Sequence, residues 1–283
     1  MGDILTTARS PWGESIFTHI SWSLFWASLV GGLLFLLAHG GYMLFSQHRR
    51  RPSEEVDRME RERAGLPAHI TRHGFVARAF HWVMAFSMLT LLLTAFLPII
   101  GVRFAWVQWH WMAGLLLTAS VLFHIFHATF VLDFWSIWVG PKDIPEFKAE
   151  MLREMGKEDV PGPRSGKYPL GNRLYHLAVM VAGLVVIATG ILMMWRVRTG
   201  VVERNPYMLS DPTWGLTYVG HGLMGVGFVG LVIAHIYFAL RPEKLWITKA
   251  MIFGTISRRN YLEYHDPDRW VTESSRKPSS PVA

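Results

Sequence analysis

Long apolar runs separated by short polar or charged stretches dominate the chain, and five of them are long enough to cross a bilayer, which takes roughly 20 helical residues. They fall near 17–46, 80–100, 106–133, 173–195 and 215–240. Tryptophan stands at the ends of most of them: Trp12 and Trp22, Trp82, Trp106, Trp109 and Trp111, Trp135 and Trp138, Trp195, Trp214 and Trp246. An indole has an apolar body and one polar N–H, so it settles at the headgroup level and marks where spans end. The first run is too long for a signal peptide and has neither a basic region directly before it nor a small-x-small cleavage site, so it is expected to stay as a span.

The charged stretches orient these spans. Of 28 Lys and Arg, 23 lie within 47–79, 134–173 and the region from 241 onward, and five lie before the first span or in the two alternate loops. Excess positive charge stays in the cytoplasm, so the N-terminus is expected outside and the C-terminus inside. Residues 48–64 are mostly charged and read as a solvated linker or helix. Residues 142–155 place Ile144, Phe147, Met151 and Met155 at helical spacing, the pattern of a helix lying on a membrane or under a partner. The stretch after Asp266 is short, polar and proline-bearing, and reads as a disordered tail. The expected fold is an all-α integral membrane protein with five spans. Its parts are an N-terminal transmembrane helix in 1–47, a charged cytoplasmic linker in 48–79, a four-helix core in 80–240 and a cytoplasmic tail in 241–283.

Composition narrows the chemistry. The chain is 51% hydrophobic and 17% charged, which is too apolar for an ordinary soluble protein. Its net charge of +7 sits in blocks between apolar runs rather than along one face, which argues against nucleic acid. With no cysteine there is no disulfide, no cysteine-ligated cluster and no covalent C-x-x-C-H haem attachment, so a metal must rest on histidine, methionine or carboxylate.

Nine histidines fall in or at the spans: His19, His39, His81, His110, His124, His127, His176, His221 and His235. Ionisable groups inside a membrane are costly, so such a set calls for a function. His221 and His235 are fourteen residues apart, which on a helix is close to four whole turns and a rise of about 21 Å. Both leave nearly one face at opposite depths, as two stacked b-type haems require, each taking a second imidazole from a facing helix. On the expected topology His110 matches His221 in depth and His81 matches His235. His110 and His221 are each followed four residues later by glycine, Gly114 and Gly225, where a larger side chain would meet a porphyrin; close helix packing is the competing use. His124, fourteen residues after His110, rivals His81, and with His127 one turn on it also suits another metal or a proton path. For His176, quinone contact or proton delivery competes with a buried hydrogen bond, whereas His19 and His39 read as helix contacts.

The segments RAFHW (78–82), WHWMAG (109–114), GPKDIPEF (140–147), SGKYPLGNRLYH (165–176), TGILMMW (189–195), GHGLMG (220–225), AHIYFAL (234–240) and KAMIFGTISRRNYLEYHDP (249–267) follow one another in order. Over about 72–270 the chain thereby resembles the gamma subunit of membrane-bound respiratory formate dehydrogenase, within the group of cytochrome b subunits that includes those of nickel-iron hydrogenases. The resemblance implies a four-helix dihaem cytochrome b bundle with two non-covalent haems, the inner on His81 and His235 and the outer on His110 and His221, and no haem role for His124. It also implies menaquinone, or ubiquinone, beside the inner haem, with Tyr168, Asn172 and His176 as contacts. The chain departs from the family at Pro169 and Leu170, where a polar pair is usual, and in its additional first span.

The implied function is electron transfer, in a bacterial inner membrane, between the quinone pool and a periplasmic iron–sulfur subunit with its molybdopterin-type catalytic subunit, a higher oligomer of that complex being left open. Formate dehydrogenase is the favoured complex; a hydrogenase or a thiosulfate or polysulfide reductase is the alternative. A haem-free transporter or scaffold would also use intramembrane histidines. This chain carries no cluster ligands and no pterin or nucleotide fingerprint, so primary dehydrogenase chemistry belongs to a partner.

Overall fold

The computed structural model describes residues 4–45, 54–132, 134–155 and 164–272, so the first residues of the expected linker and the end of the expected tail lie outside the described residues. Among the described residues five helices are long and apolar enough to span a membrane: Trp22–Phe45, Phe75–Ile100, Trp106–Phe130, Leu170–Arg196 and Asp211–Leu240. Lipid offers the backbone no hydrogen bonds, and a helix satisfies its N–H and C=O groups internally. In chain order the described α-helices are α1 (Trp22–Phe45), α2 (Glu54–Glu62), α3 (Phe75–Phe96), α4 (Trp106–Phe130), α5 (Ile144–Glu154), α6 (Leu170–Met193), α7 (Asp211–Leu240), α8 (Leu245–Phe253) and α9 (Arg258–Tyr264). Two strand pairs, β1 (Leu5–Arg9) with β2 (Ser15–Ile20) and β3 (His69–Thr71) with β4 (Thr255–Ser257), make the protein mostly helical rather than all-α as expected.

The chain divides into two compact units. The first comprises Met1–Leu37, Phe80–Val131 and Leu177–His235. Here the first apolar run begins as a strand: the β-branched and aromatic residues of Ser15–Ile20 pair antiparallel with Leu5–Arg9, and the helix starts only at Trp22. Gly13 takes φ +89° in the connecting turn, a conformation that favours glycine. The hairpin packs on α7, where a Cβ at Gly215 would strike the Phe17 carbonyl and one at Gly222 would come within 3.2 Å of Ile20. α1 joins the same face of α7: Ile20, Phe25, Val226 and Val229 form one apolar cluster, and the Ser28 hydroxyl donates to the Val226 carbonyl at 3.0 Å.

The second unit comprises Ala38–Ala79, Leu132–His176 and Ile236–Ala283. Its core is Ile70, Ala250, Ile256, Tyr261, Leu262 and Trp270, with the β3–β4 ladder running through it. The chain expected to be tail after Asp266 is packed as far as Trp270, which is buried among these residues. α8 ends at Gly254, with φ +90°, where a Cβ would come within 2.8 Å of the His73 carbonyl; a glycine in this left-handed conformation is a common helix terminator. α9 is capped by Ser257, whose hydroxyl oxygen accepts from the Asn260 N–H at 3.1 Å, satisfying one of the free donors of the first turn. Charged pairs hold α2 to the rest of this unit, Arg259 to Asp57 at 2.6 Å and Arg164 to Glu55 at 3.0 Å.

α5 turns its apolar residues Ile144, Phe147 and Met151 outward and buries Glu146. Arg173, in the first turn of α6, meets Asp143 at 2.9 Å and Glu146 at 3.8 Å, while Arg269 meets Glu146 at 2.8 Å. The Arg173 hydrogen bond, against the opposing effect of burial, holds the Asp143 carboxyl below its ordinary range. Arg72 is also buried. Its guanidinium lies 5.8 Å from the centre of the Trp246 ring and 5.4 Å from that of Trp270, within the range of cation–π attraction. Its Nη1–H donates to His265 Nε2 at 2.9 Å, and His265 Nδ1–H donates to the Gly166 carbonyl at 2.7 Å. Burial first, and then the Arg72 charge, push His265 down to about 3, so it is neutral at pH 7 and can accept that bond.

Candidate functional site

The first unit brings four of the predicted histidines into two pairs. His110, in the second turn of α4, faces His221 on α7, and His81, in the second turn of α3, faces His235 near the end of α7. The ring centroids are 6.2 Å apart in each pair, with planes inclined at 51° for His81 and His235 and 66° for His110 and His221. A metal–imidazole bond is about 2 Å and the ring centre lies about 1 Å farther, so two imidazoles sharing one metal across an axis stand about 6 Å apart. Both pairs therefore fit bis-imidazole ligation of an iron. Among the described residues no three His, Asp or Glu side chains gather as a metal site. Two imidazoles with four equatorial positions supplied by a porphyrin are the donor set these pairs suit.

The surroundings of the first pair match that use. A Cβ at Gly225, one turn after His221, would meet nothing within 4 Å, and one at Gly114, one turn after His110, would reach only the Leu91 side chain at 3.9 Å. At Gly190 of α6 a Cβ would press on the His221 ring at 3.3 Å. Each ring also has a hydroxyl partner: Thr94 Oγ1 lies 2.8 Å from His110 Nδ1 and Thr189 Oγ1 lies 2.9 Å from His221 Nδ1. These threonines are not among the residues expected from the sequence, where their signal is a hydroxyl within an otherwise apolar span.

The remaining histidines have other surroundings. His124 stacks on Phe80 with centroids 4.4 Å apart and planes at 8°, while His127 stacks on Phe123 at 5.6 Å and 13°. His19 lies in β2 rather than in a span, and stacks on Trp22 at 5.9 Å. His39 bonds through Nδ1 to the Tyr237 hydroxyl at 2.6 Å. Tyr168 precedes α6, with the Lys167 ammonium 5.5 Å from its ring centre, and Asn172 and His176 occupy the first two turns of α6. These three belong to the second unit, the paired histidines to the first.

Residues 72–254 match the model of a protein family described as prokaryotic cytochrome b561. A search of curated proteins returns no match.

Proposed function

The chain belongs to the prokaryotic cytochrome b561 family, and from that premise we propose that it is a dihaem, quinone-linked membrane subunit whose four paired histidines hold the two haems. It is a multi-pass integral membrane protein and a membrane cytochrome b, a class that carries electrons across the bilayer on b-type haem. The observation that carries the finer reading is that α7 presents His221 and His235, fourteen residues apart, each to a second imidazole at 6.2 Å. Bound there, two haems would supply one-electron transfer between the two sides of the membrane.

The chain's own residues do the rest. His110 and His221 would hold the haem nearer the N-terminal side and His81 and His235 the other, and Gly114 and Gly225 leave open space one turn after the first two ligands. The bias of 23 basic residues to alternate loops puts the first pair outside and the second inside. In this reading residues 80–240 form the haem-bearing core, and the span before it is an addition. Quinone binds on the cytoplasmic side, where the Asn172 amide can donate to a quinone carbonyl and His176 can deliver a proton. The order and spacing of the motifs favour formate dehydrogenase as the partner, its iron–sulfur and molybdopterin-type subunits on the outer face.

The test is haem content with ligand variants. The purified protein is expected to contain two acid-extractable haems per chain. His110→Ala and His221→Ala should each remove the same one, and His81→Ala and His235→Ala the other. Loss of a haem in His124→Ala with both retained in His81→Ala would overturn the ligand assignment. Co-purification of the catalytic subunit identifies the partner enzyme, and quinone turnover that falls in His176→Ala while haem reduction continues supports the quinone site.

A further inference from the structure

Both rings of the His110–His221 pair have a threonine at their second nitrogen, which ligation of a haem does not by itself require. Thr94 is on α3 and Thr189 on α6, so the two helices that supply no ligand to this pair each supply a hydroxyl to it. A threonine in an apolar helix ordinarily satisfies its hydroxyl on a carbonyl one turn earlier and needs nothing more. Both do this: Thr94 donates to the Thr90 carbonyl at 2.7 Å and Thr189 to the Val185 carbonyl at 2.6 Å. A hydroxyl has one proton. With the proton placed there, what Oγ1 offers His110 at 2.8 Å and His221 at 2.9 Å is a lone pair, and since each ring also bonds a backbone carbonyl, that of Leu91 or of Val186, the arrangement suits a hydrogen on Nδ1 in both rings. That leaves Nε2 of each ring with its lone pair available to a metal.

We propose that Thr94 and Thr189 are positioning residues that fix the tautomer and the rotation of His110 and His221, and so tune the outer haem and not the inner one. The proposal rests on the ligand assignment above. Four helices then contribute to this haem in crossed pairs, α4 and α7 with an imidazole, α3 and α6 with the group that orients it. Thr94 is 3% exposed, so no water substitutes for it cheaply. The γ-methyl restricts the side-chain rotation, which holds the oxygen in place. An N–H that donates to a fixed oxygen makes the imidazole a stronger electron donor to its metal, which favours the oxidised iron. Loss of the bond therefore raises the reduction potential of that haem. His81, by comparison, has the rings of Trp82 and His235 as neighbours, and among the described residues no threonine hydroxyl bonds to it.

The experiment is a redox titration with electron paramagnetic resonance on the purified full chain carrying its own haem. The background is His81→Ala, in which the ligand assignment leaves the outer haem alone. Thr94→Val and Thr189→Val, which keep shape and lose the hydroxyl, should each raise the midpoint potential of that haem and shift its low-spin signal. Thr94→Ser and Thr189→Ser should stay close to the parent. In the His110→Ala background, where the inner haem remains, all four should change nothing. If a valine variant loses the haem altogether, the serine variant decides: haem retained with the parental signal supports the hydroxyl's role, and haem lost there too overturns it. Parental potentials and signals in the valine variants, or equal shifts in both backgrounds, also overturn it. If His110→Ala and His81→Ala leave the haem content unchanged, the ligand assignment has failed, and that result is visible before any threonine is measured.

Discussion

Thr94 in the first unit and Asp143 in the second are both polar side chains with little surface, 3% and 9%, yet their partners differ in kind. Thr94 sits between a helix carbonyl and an imidazole, all three uncharged in the tautomer the geometry suits. Asp143 sits against Arg173 at 2.9 Å and within 3.8 Å of Arg269, with Glu146 sharing both arginines. In the first unit the polar groups at this site are hydroxyls and imidazoles, satisfied by neutral neighbours. In the second, charges are buried, Asp143 and Glu146 against two arginines that neutralise them and Arg72 against the neutral His265 ring and two indoles. The difference suits the two surroundings: an isolated charge in a span costs several kcal/mol or more, while a mutually satisfied cluster near the water boundary is tolerated. It also means that the second unit responds to pH and to charge removal, and the first to shape.

The largest expected break in this contrast is Arg173→Met. It leaves Asp143 and Glu146 with Arg269 alone, which meets Glu146 at 2.8 Å but Asp143 only at 3.8 Å, and losing one partner of a buried charge cluster costs about 3–5 kcal/mol. Thermal unfolding of the purified protein in lipid nanodiscs should show a lower midpoint; an unchanged midpoint would mean the cluster is solvated in the membrane.

Acid should act next, through His265. Its ring is fully buried and neutral down to about pH 3 when folded, whereas unfolded it takes a proton near 6.5. Between those values the unfolded state binds more protons, so stability is complete above pH 6.5 and falls as pH drops toward 3. The slope is about 1.4 kcal/mol per pH unit, or about 2 kcal/mol lost by pH 5. Melting curves at pH 7, 6 and 5 should show this decline, and His265→Asn should flatten it. An equal decline in both proteins would assign the acid sensitivity to other groups.

The last and most local effect should come from shape in the first unit. In Gly215→Ala the new methyl meets the Phe17 carbonyl, and since backbone cannot rotate away the hairpin must shift, at about 1–3 kcal/mol. Faster proteolysis within residues 4–20, with no change in pH dependence, is the expected signature. Unaltered cleavage would show that the hairpin does not rest on α7 in the membrane.

What the amino-acid order determined by itself was whatever depends on composition and on the fixed geometry of a helix. Five apolar runs must hide their backbone in helices, and residues fourteen apart on one helix must share a face, so His221 and His235 were readable as facing one way at two depths. The same periodicity made α5 visible as a helix with an apolar row, but not that Glu146 on its other face is 2% exposed, since this depends on Arg173 and Arg269, far away in the chain. Likewise Ser15–Ile20 is apolar enough to extend the first span, and becomes a strand because Leu5–Arg9 pairs with it and Gly215 and Gly222 leave room beneath. Thr94 with His110, Thr189 with His221 and Arg72 with His265 were decided only by the tertiary structure. Rise and rotation are set residue by residue along a helix, whereas a hydrogen bond between separate segments exists only once packing has set their depth and rotation against each other.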